Sequence, residues 1–382
     1  MDKNDKYFYL EKLFPDTSEI ISGEFKSIEQ IKDVCIFVLD TNILLLPYKT
    51  SKNSLKAFEN IYKKLKAKDK LRIPERVIRE FGKNRGKNLA EVYKYLSQKE
   101  NGLNRLQLDL EIPPILADEK EYKKLISLKK AYNINTKEIK ENIQSLQKKV
   151  YDYNWNDPVS ELYKKIITPN IVIPVSKKKD EIISDLEFRI THSIAPGFKD
   201  SKKSDKGIGD LIIWQTIKEI GKKENIDIIY VTDDSKNDWF YVEEKKTVYP
   251  RYELLYEFKK ETNRTIHILD VTDFLILFDT DKETIDEVNE QKLEKSISSN
   301  GNWVRIPASE IKIGMEVCYQ SKSVKEFNNT SGGIVSKVKP NERLEYIITL
   351  KSTRNNGPEN IGSKNFNWWR KIEITTANTV YS

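Results

Sequence analysis

Histidine is nearly absent from this chain of 382 residues, which has only two, His192 and His267. A Ser-His-Asp or Cys-His mechanism would have to use one of them. His192 falls near an expected helix end, and His267 alternates with apolar neighbours in Ile266-His-Ile-Leu269. Cysteine is as scarce. Cys35 and Cys318 lie far apart and neither has a CxxC neighbour, so neither a disulfide framework nor a zinc site is expected. Cys35 reads as a small buried hydrophobe. There is no GxGxxG and no P-loop. No apolar run reaches the roughly eighteen residues of a membrane span. The opening Met1-Asp-Lys-Asn-Asp-Lys6 has no apolar core behind a basic segment, so no signal peptide is expected. A cytoplasmic protein without a membrane partner is the expectation.

What the chain does have is charge: 33% charged residues, 38% hydrophobic residues and a net charge of +7. That balance is compatible with a polyanionic partner. The Lys-, Asn- and Ile-rich usage would also follow from an AT-rich genome. The chain also has carboxylates where predicted strands end.

The first of these closes Val34-Cys-Ile-Phe-Val-Leu-Asp-Thr-Asn42. The run is too short for a globular helix and rich in β-formers, so it predicts a buried strand ending at Asp40. A carboxylate there is costly unless it meets a cation or donors. Ligands of open α/β sheets gather beyond the carboxyl ends of strands. The alternative for Asp40 is an N-cap of the next helix.

Before this strand, residues 1–33 read as an N-terminal cap with one helix after Ser27. After it, Leu55, Phe58, Ile61, Tyr62 and Leu65 share a helix face. Leu71-Arg-Ile-Pro74 reads as a second strand. The helix that follows carries Val77 and Phe81 on one face, with Glu80 at its edge, and continues to Asn84 and Arg85. Glu80 is either a site carboxylate or a solvated helix residue. Residues from about 86 to 190 read as a charged antiparallel helical insert, a wall beside the site or plain scaffold.

The Gly- and Lys-rich loop Ala195–Gly209 places Lys199, Lys202, Lys203 and Lys206 where they could meet phosphates. Asp210 opens an apolar helix, as a site residue or as its cap. Ile226–Thr232 predicts another buried strand, ending in Thr232-Asp-Asp234 with Asp238 close behind. A helix over 251–258, a strand over 265–269 and a short helix over 270–278 follow.

Residues 281–302 read as a helix and linker, and 303–382 as a small all-β, barrel-like domain. It holds twelve Lys and Arg against seven Glu and no Asp, about +5. Trp368 and Trp369, beside Arg370 and Lys371, would stack bases or else form core.

Asp40, Glu80, Asp210 and Asp234 would repel one another if gathered, unless a divalent cation joined them. Oxygen-only ligands favour Mg²⁺ or Mn²⁺. Such an ion activates water and stabilises the charge of a cleaved phosphodiester without histidine.

Asp40-Thr-Asn42, Pro74-Glu-Arg-Val-Ile-Arg-Glu80-Phe with Asn84-Arg85, Pro196-Gly-Phe-Lys-Asp200, Gly209-Asp210-Leu-Ile-Ile-Trp214 and Val231-Thr-Asp-Asp-Ser-Lys-Asn-Asp-Trp239 occur in that order. Together they resemble the bacterial PIN-like family with a large helical insert, over about 35–278. The resemblance implies an α/β fold with a PIN-like parallel sheet flanked by helices, spanning 34–280, and an acidic site that binds Mg²⁺ or Mn²⁺ and cleaves RNA. It implies Asp40, Glu80, Asp210 and Asp234 as the metal-binding and catalytic acids. Thr232, Asp233, Asp238 and Asn42 would support them, and Arg85 and Asp200 match family positions without an assigned role. Nothing in it covers 303–382.

The expected partner is nucleic acid, RNA favoured, and a homo-oligomer stays open. Deoxyribonuclease activity and a catalytically weak nucleic-acid-binding module are the alternatives. A haloacid-dehalogenase-type phosphatase would need a second Asp two residues after the first, where this chain has Asn42.

Overall fold

The computed structural model describes residues 7–104, 114–199, 205–233, 238–243 and 246–299, and the backbone of six later strands. The chain divides into two compact units, Met1–Tyr241 with Thr247–Asp279, and Val242–Lys246 with Thr280–Ser382.

In the first unit, short helices α1 (Tyr9–Leu13), α2 (Thr17–Ser22) and α3 (Ile28–Ile31) lead to β1 (Ile36–Leu39). Ser27 and Gln30 close a reciprocal capping box at α3, which starts the helix where the sequence predicts it. Then come α4 (Thr41–Leu45), α5 (Lys52–Ala67), β2 (Leu71–Pro74), α6 (Glu75–Asn104) and α7 (Lys120–Tyr151). They are followed by α8 (Pro158–Ile166), β3 (Val172–Ile173), α9 (Lys179–His192), α10 (Ile208–Glu224) and β4 (Ile228–Val231). A two-stranded ribbon, β5 (Phe240–Glu243) and β6 (Lys246–Pro250), precedes α11 (Tyr252–Thr262), β7 (Ile266–Leu269) and α12 (Val271–Leu277).

Five strands form one parallel sheet in the order β3-β2-β1-β4-β7. Every residue of β1, β2 and β4 is buried. That is why these strands read as unbroken apolar runs rather than alternations: helices cover both faces of a parallel sheet. Leu39 pairs with Val231, and Val231 with Leu269, so three strands end at one level. The chain runs outward from β1 through β2 to β3, then returns to the other side of β1 as β4. The connections diverge between β1 and β4, and such a switch point opens a crevice at the carboxyl ends.

Helices α6 and α7 pack antiparallel. Gln147 on α7 reaches Ser97 and Glu100 on α6 at 3.3 and 3.0 Å, and Gln144 reaches Glu100 at 2.7 Å. Strand β3 lies within the stretch read as helical. Two residues are too few to display a period, and only pairing with Ile73 and Pro74 makes them a strand. The first strand also starts later than the apolar run, because Val34 is exposed.

In the second unit, α13 (Lys282–Ser299) is followed by β8 (Trp303–Ile306), β9 (Glu316–Ser321), β10 (Ser331–Pro340), β11 (Tyr346–Ser352), β12 (Glu359–Gly362) and β13 (Phe366–Lys371). They pair antiparallel in the order β12-β11-β10-β9-β13-β8. Ile372-Glu-Ile-Thr-Thr376, which the sequence reads as a further short strand, lies outside the described residues. Among the described residues, no helix is long and apolar enough to cross a membrane.

Candidate active site

Asp40 follows the last residue of β1 and is only 7% exposed. Its backbone N–H donates to Val231 of β4 at 3.0 Å, fixing it at the switch point. The carboxylate accepts the Thr41 N–H at 2.7 Å on Oδ1 and the Thr232 hydroxyl at 2.6 Å on Oδ2. Asp40 is therefore the N-cap of α4 and a buried carboxylate at the sheet edge at once, so its two sequence readings are compatible.

Thr41 links the first carboxylate to the second. Its hydroxyl donates to Glu80 Oε2 at 2.9 Å while its N–H holds Asp40. Glu80 lies one and a half turns into α6, half-buried, and its Oε1 accepts Arg76 Nε at 2.7 Å. Arg76 also reaches Asp205, in the turn before α10, at 3.3 Å. Gly209 sits against this pair: a Cβ there would lie 2.6 Å from Glu80 Oε1 and 3.1 Å from Arg76 Nη2. The contact needs glycine and brings the first turn of α10, with Asp210, up to Glu80.

Asp210 is not the helix cap. Gly207, in the left-handed conformation at φ 75°, occupies the N-cap without a side-chain bond. Asp210 lies inside the first turn, half-buried, where the helix dipole favours a negative charge. Thr232 is buried and Asp233 half-buried at the end of β4. Asp238 is fully buried and lies 3.5 Å from the Lys199 N–H. Trp239 is pinned between Trp214 and Tyr230, with ring centroids at 6.2 and 5.0 Å. The chain beyond β4 is thereby held against the sheet.

A family model described as a PIN like domain matches residues 36–254, more than half of the chain. The chain belongs to the PIN-like family. The match begins at the first residue of β1 and takes in Asp40, Glu80, Asp210 and the end of β4. No curated protein and no solved structure is matched by the chain.

The candidate site thus joins Asp40, Thr41, Glu80 and Thr232 by direct hydrogen bonds, with Asp210 reached through its neighbour Gly209. Asn42 is half-buried in the first turn of α4. Asp234, Asp200, Lys202 and Lys203 lie outside the described residues. Lys199 and Lys206 are exposed on the two described flanks of that loop.

Arg85 is engaged elsewhere. Its guanidinium is buried, contacts Asp157 at 2.5 Å and Ser160 at 2.9 Å, and lies 4.5 Å from the Trp155 ring centre. Burial pushes the Asp157 carboxyl up, but the Ser160 hydroxyl and N–H, Arg85 and Tyr48 bring it below its ordinary value. This ion pair ties α6 to the start of α8.

Both histidines pack in other places. His192 stacks on Tyr9, and His267 Nε2 lies 2.7 Å from the Lys26 carbonyl. Cys35 is fully buried, and burial pushes its thiol up to about 12, which makes it a poor nucleophile at neutral pH.

Sequence reasoning missed Thr41, Arg76, Asp205 and Gly209. Arg76 had a readable signal, the i,i+4 spacing to Glu80 on a predicted helix. The other three had none strong enough, because their roles come from packing between elements.

The donor set suits a hard divalent cation in kind, since it contains only carboxylates and hydroxyls. Mg²⁺ is ordinarily held by one or two carboxylates, with waters and substrate phosphates completing its shell. Asp40 with Glu80 or Asp210 meets that share. Among the described residues, no group of three or more His, Cys, Asp or Glu is placed to hold an ion.

Proposed function

We propose that the protein is a metal-dependent nuclease of PIN type that hydrolyses phosphodiester bonds, with RNA as its preferred polymer. PIN-like domains are generally nucleases, and the chain belongs to that family over the part that carries the acids. The observation that carries the reading is the pairing of Asp40 and Glu80 through Thr41 at the β1–β4 switch point, with α10 packed against Glu80 through Gly209.

In this reading Asp40, Asp210 and Asp234 hold Mg²⁺ or Mn²⁺, with Glu80 as a further ligand or as the group that positions water. The ion supplies a more acidic water and charge neutralisation at the phosphate. Thr232 and Thr41 keep Asp40 correctly turned, since both donate to it. Arg76 offsets the charge of Glu80. Asp233 and Asp238 support the end of β4. Lys199, Lys202, Lys203 and Lys206 steer the polyanion. We assign 303–382 to a small barrel-like domain that adds affinity for nucleic acid, with Trp368, Trp369, Arg370 and Lys371 on β13 as its contact residues.

Asp40→Asn should abolish cleavage of labelled single-stranded RNA in Mn²⁺ or Mg²⁺ with little change in folding. Cleavage retained by a clean Asp40→Asn preparation, or undiminished by EDTA, overturns the assignment. Running single-stranded DNA beside the RNA decides the polymer.

A second reading, a nucleic-acid-binding module of weak activity, is favoured by one observation: the described acids do not gather three to a group. It predicts binding in EDTA and no products under any metal.

A further inference from the structure

Phe198, Tyr241, Arg251 and Lys199 form a cluster of which the nuclease reading uses Lys199 alone. The Arg251 guanidinium lies over two rings at once, 5.3 Å from the Phe198 centroid and 4.6 Å from that of Tyr241. Lys199 also lies over the Phe198 ring, its Nζ 5.5 Å from the centroid. Tyr241 is 45% exposed, unlike the core aromatics around it, and Phe198 is half-buried. Arg251 is fixed from below: its N–H donates to the Trp239 carbonyl at 2.9 Å, and Trp239 is 1% exposed. Glu253 tethers the cluster, 3.5 Å from Arg251 Nη1 and accepting the Tyr241 hydroxyl at 3.5 Å, so two aromatic rings and two cations share one surface around a single carboxylate.

Its place follows from the loop that carries Phe198. Gly197, at φ 103°, runs so close to the start of α10 that a Cβ would lie 3.5 Å from the Gly207 carbonyl oxygen and 4.0 Å from Leu211 Cβ. Leu211 is the neighbour of Asp210. On the other flank, the Lys199 N–H approaches Asp238, behind the end of β4. The loop that carries Phe198 and Lys199 thus runs between the start of α10 and the chain that follows β4.

We infer that Phe198, Tyr241, Arg251 and Lys199 form a stacking platform for the unpaired bases of a single-stranded nucleic acid entering the acidic site. An aromatic face accepts any base, and the adjacent cations meet the phosphates on either side of it. A duplex keeps its bases stacked inside and cannot use such a surface. The inference rests on the nuclease reading for its ligand, but not on the reaction or on a bound ion.

The test is equilibrium binding, by fluorescence anisotropy, of a labelled single-stranded oligouridine to the full chain carrying Asp40→Asn, in EDTA. Tyr241→Ala should weaken binding by about tenfold, the scale of one lost base–aromatic stack. Tyr241→Leu, which keeps apolar bulk at this exposed position, should weaken it nearly as much. Tyr151→Ala, at a more exposed tyrosine that ends the insert helix α7, should leave it unchanged. Unchanged affinity in both Tyr241 variants, or an equal loss for a duplex of the same length, overturns the platform. A protein that never cuts RNA but shows these losses keeps the platform and fails the nuclease reading.

Discussion

At the scale of single residues, the site depends on two that carry no chemistry in any motif. Arg76 holds Glu80 Oε1 at 2.7 Å, so an incoming cation must share that carboxylate with a guanidinium. Removing the competing charge favours the ion: Arg76→Ala should tighten Mn²⁺ binding, read by calorimetry, by about tenfold at most. Weaker Mn²⁺ binding would show instead that Arg76 orients Glu80 as a ligand. Gly209 is the second. Gly209→Ala puts a methyl 2.6 Å from Glu80 Oε1, at the tip of a flexible side chain. The fold should tolerate the change, with the melting temperature nearly unmoved, because Glu80 can swing away. Cleavage should fall by up to about 10²-fold, the cost of misplacing a catalytic group by about an ångström. A variant that melts early and cuts at the native rate would contradict this account.

At the scale of elements, α9, α10 and α11 are joined by a buried charge network. Glu257 accepts Arg189 Nη2 at 2.6 and 2.8 Å and is also bonded by Lys218 and the Trp214 indole. Lys218 also reaches Glu261 at 2.6 Å, and Arg189 reaches Asp185 at 2.9 Å. Burial alone would push the Glu257 carboxyl up, but Arg189 and Lys218 pull it down to about 2. A carboxyl lowered on folding contributes stability that is present above its unfolded value of about 4.3 and is lost as pH falls through the folded value. Acid unfolding followed by circular dichroism should therefore steepen from about pH 4.3 downward. Glu257→Gln should remove that dependence and cost about 3–5 kcal/mol at neutral pH, since two buried cations lose their shared anion. A Glu257→Gln protein with native stability would show that the network is dispensable. The α10–α11 contact is also tight sterically, because a Cβ on Gly221 would lie 2.5 Å from the buried Phe258 ring. Gly221→Ala gains helix propensity of about 1 kcal/mol. It still should destabilise the protein on urea melting, because overpacking a core costs about 1–3 kcal/mol.

At the scale of the whole molecule, charge sets the expected behaviour toward nucleic acid. The chain carries +7, and its last eighty or so residues hold twelve Lys and Arg against seven Glu. If 303–382 contacts phosphates, a chain ending at 299 should show a shallower slope of log K against log salt, by about 0.7 per lost contact on a single strand. Cleavage by the shortened chain should persist, because every acid assigned to the site precedes residue 280. An unchanged slope would remove the C-terminal residues from the interface. The elements of the first unit were largely legible from local pattern. The apolar runs of β1, β2 and β4, the capping signal at Ser27, and the amphipathic face of α5 each act within a few residues, so a linear reading can see them. Asp40 was legible for the same reason, as a carboxylate closing a buried run. Edge strand β3 and the β5–β6 ribbon were not, because pairing with distant backbone, rather than their own periodicity, makes them strands. The amino-acid order thus determined which segments bury themselves and which acids stand at their ends. Only the tertiary structure decided that Thr41 joins Asp40 to Glu80, that Gly209 packs against Glu80, and that Arg85 serves Asp157 rather than the crevice. Those are contacts between elements far apart in the chain, and their energies exist only once the sheet order has brought the elements together.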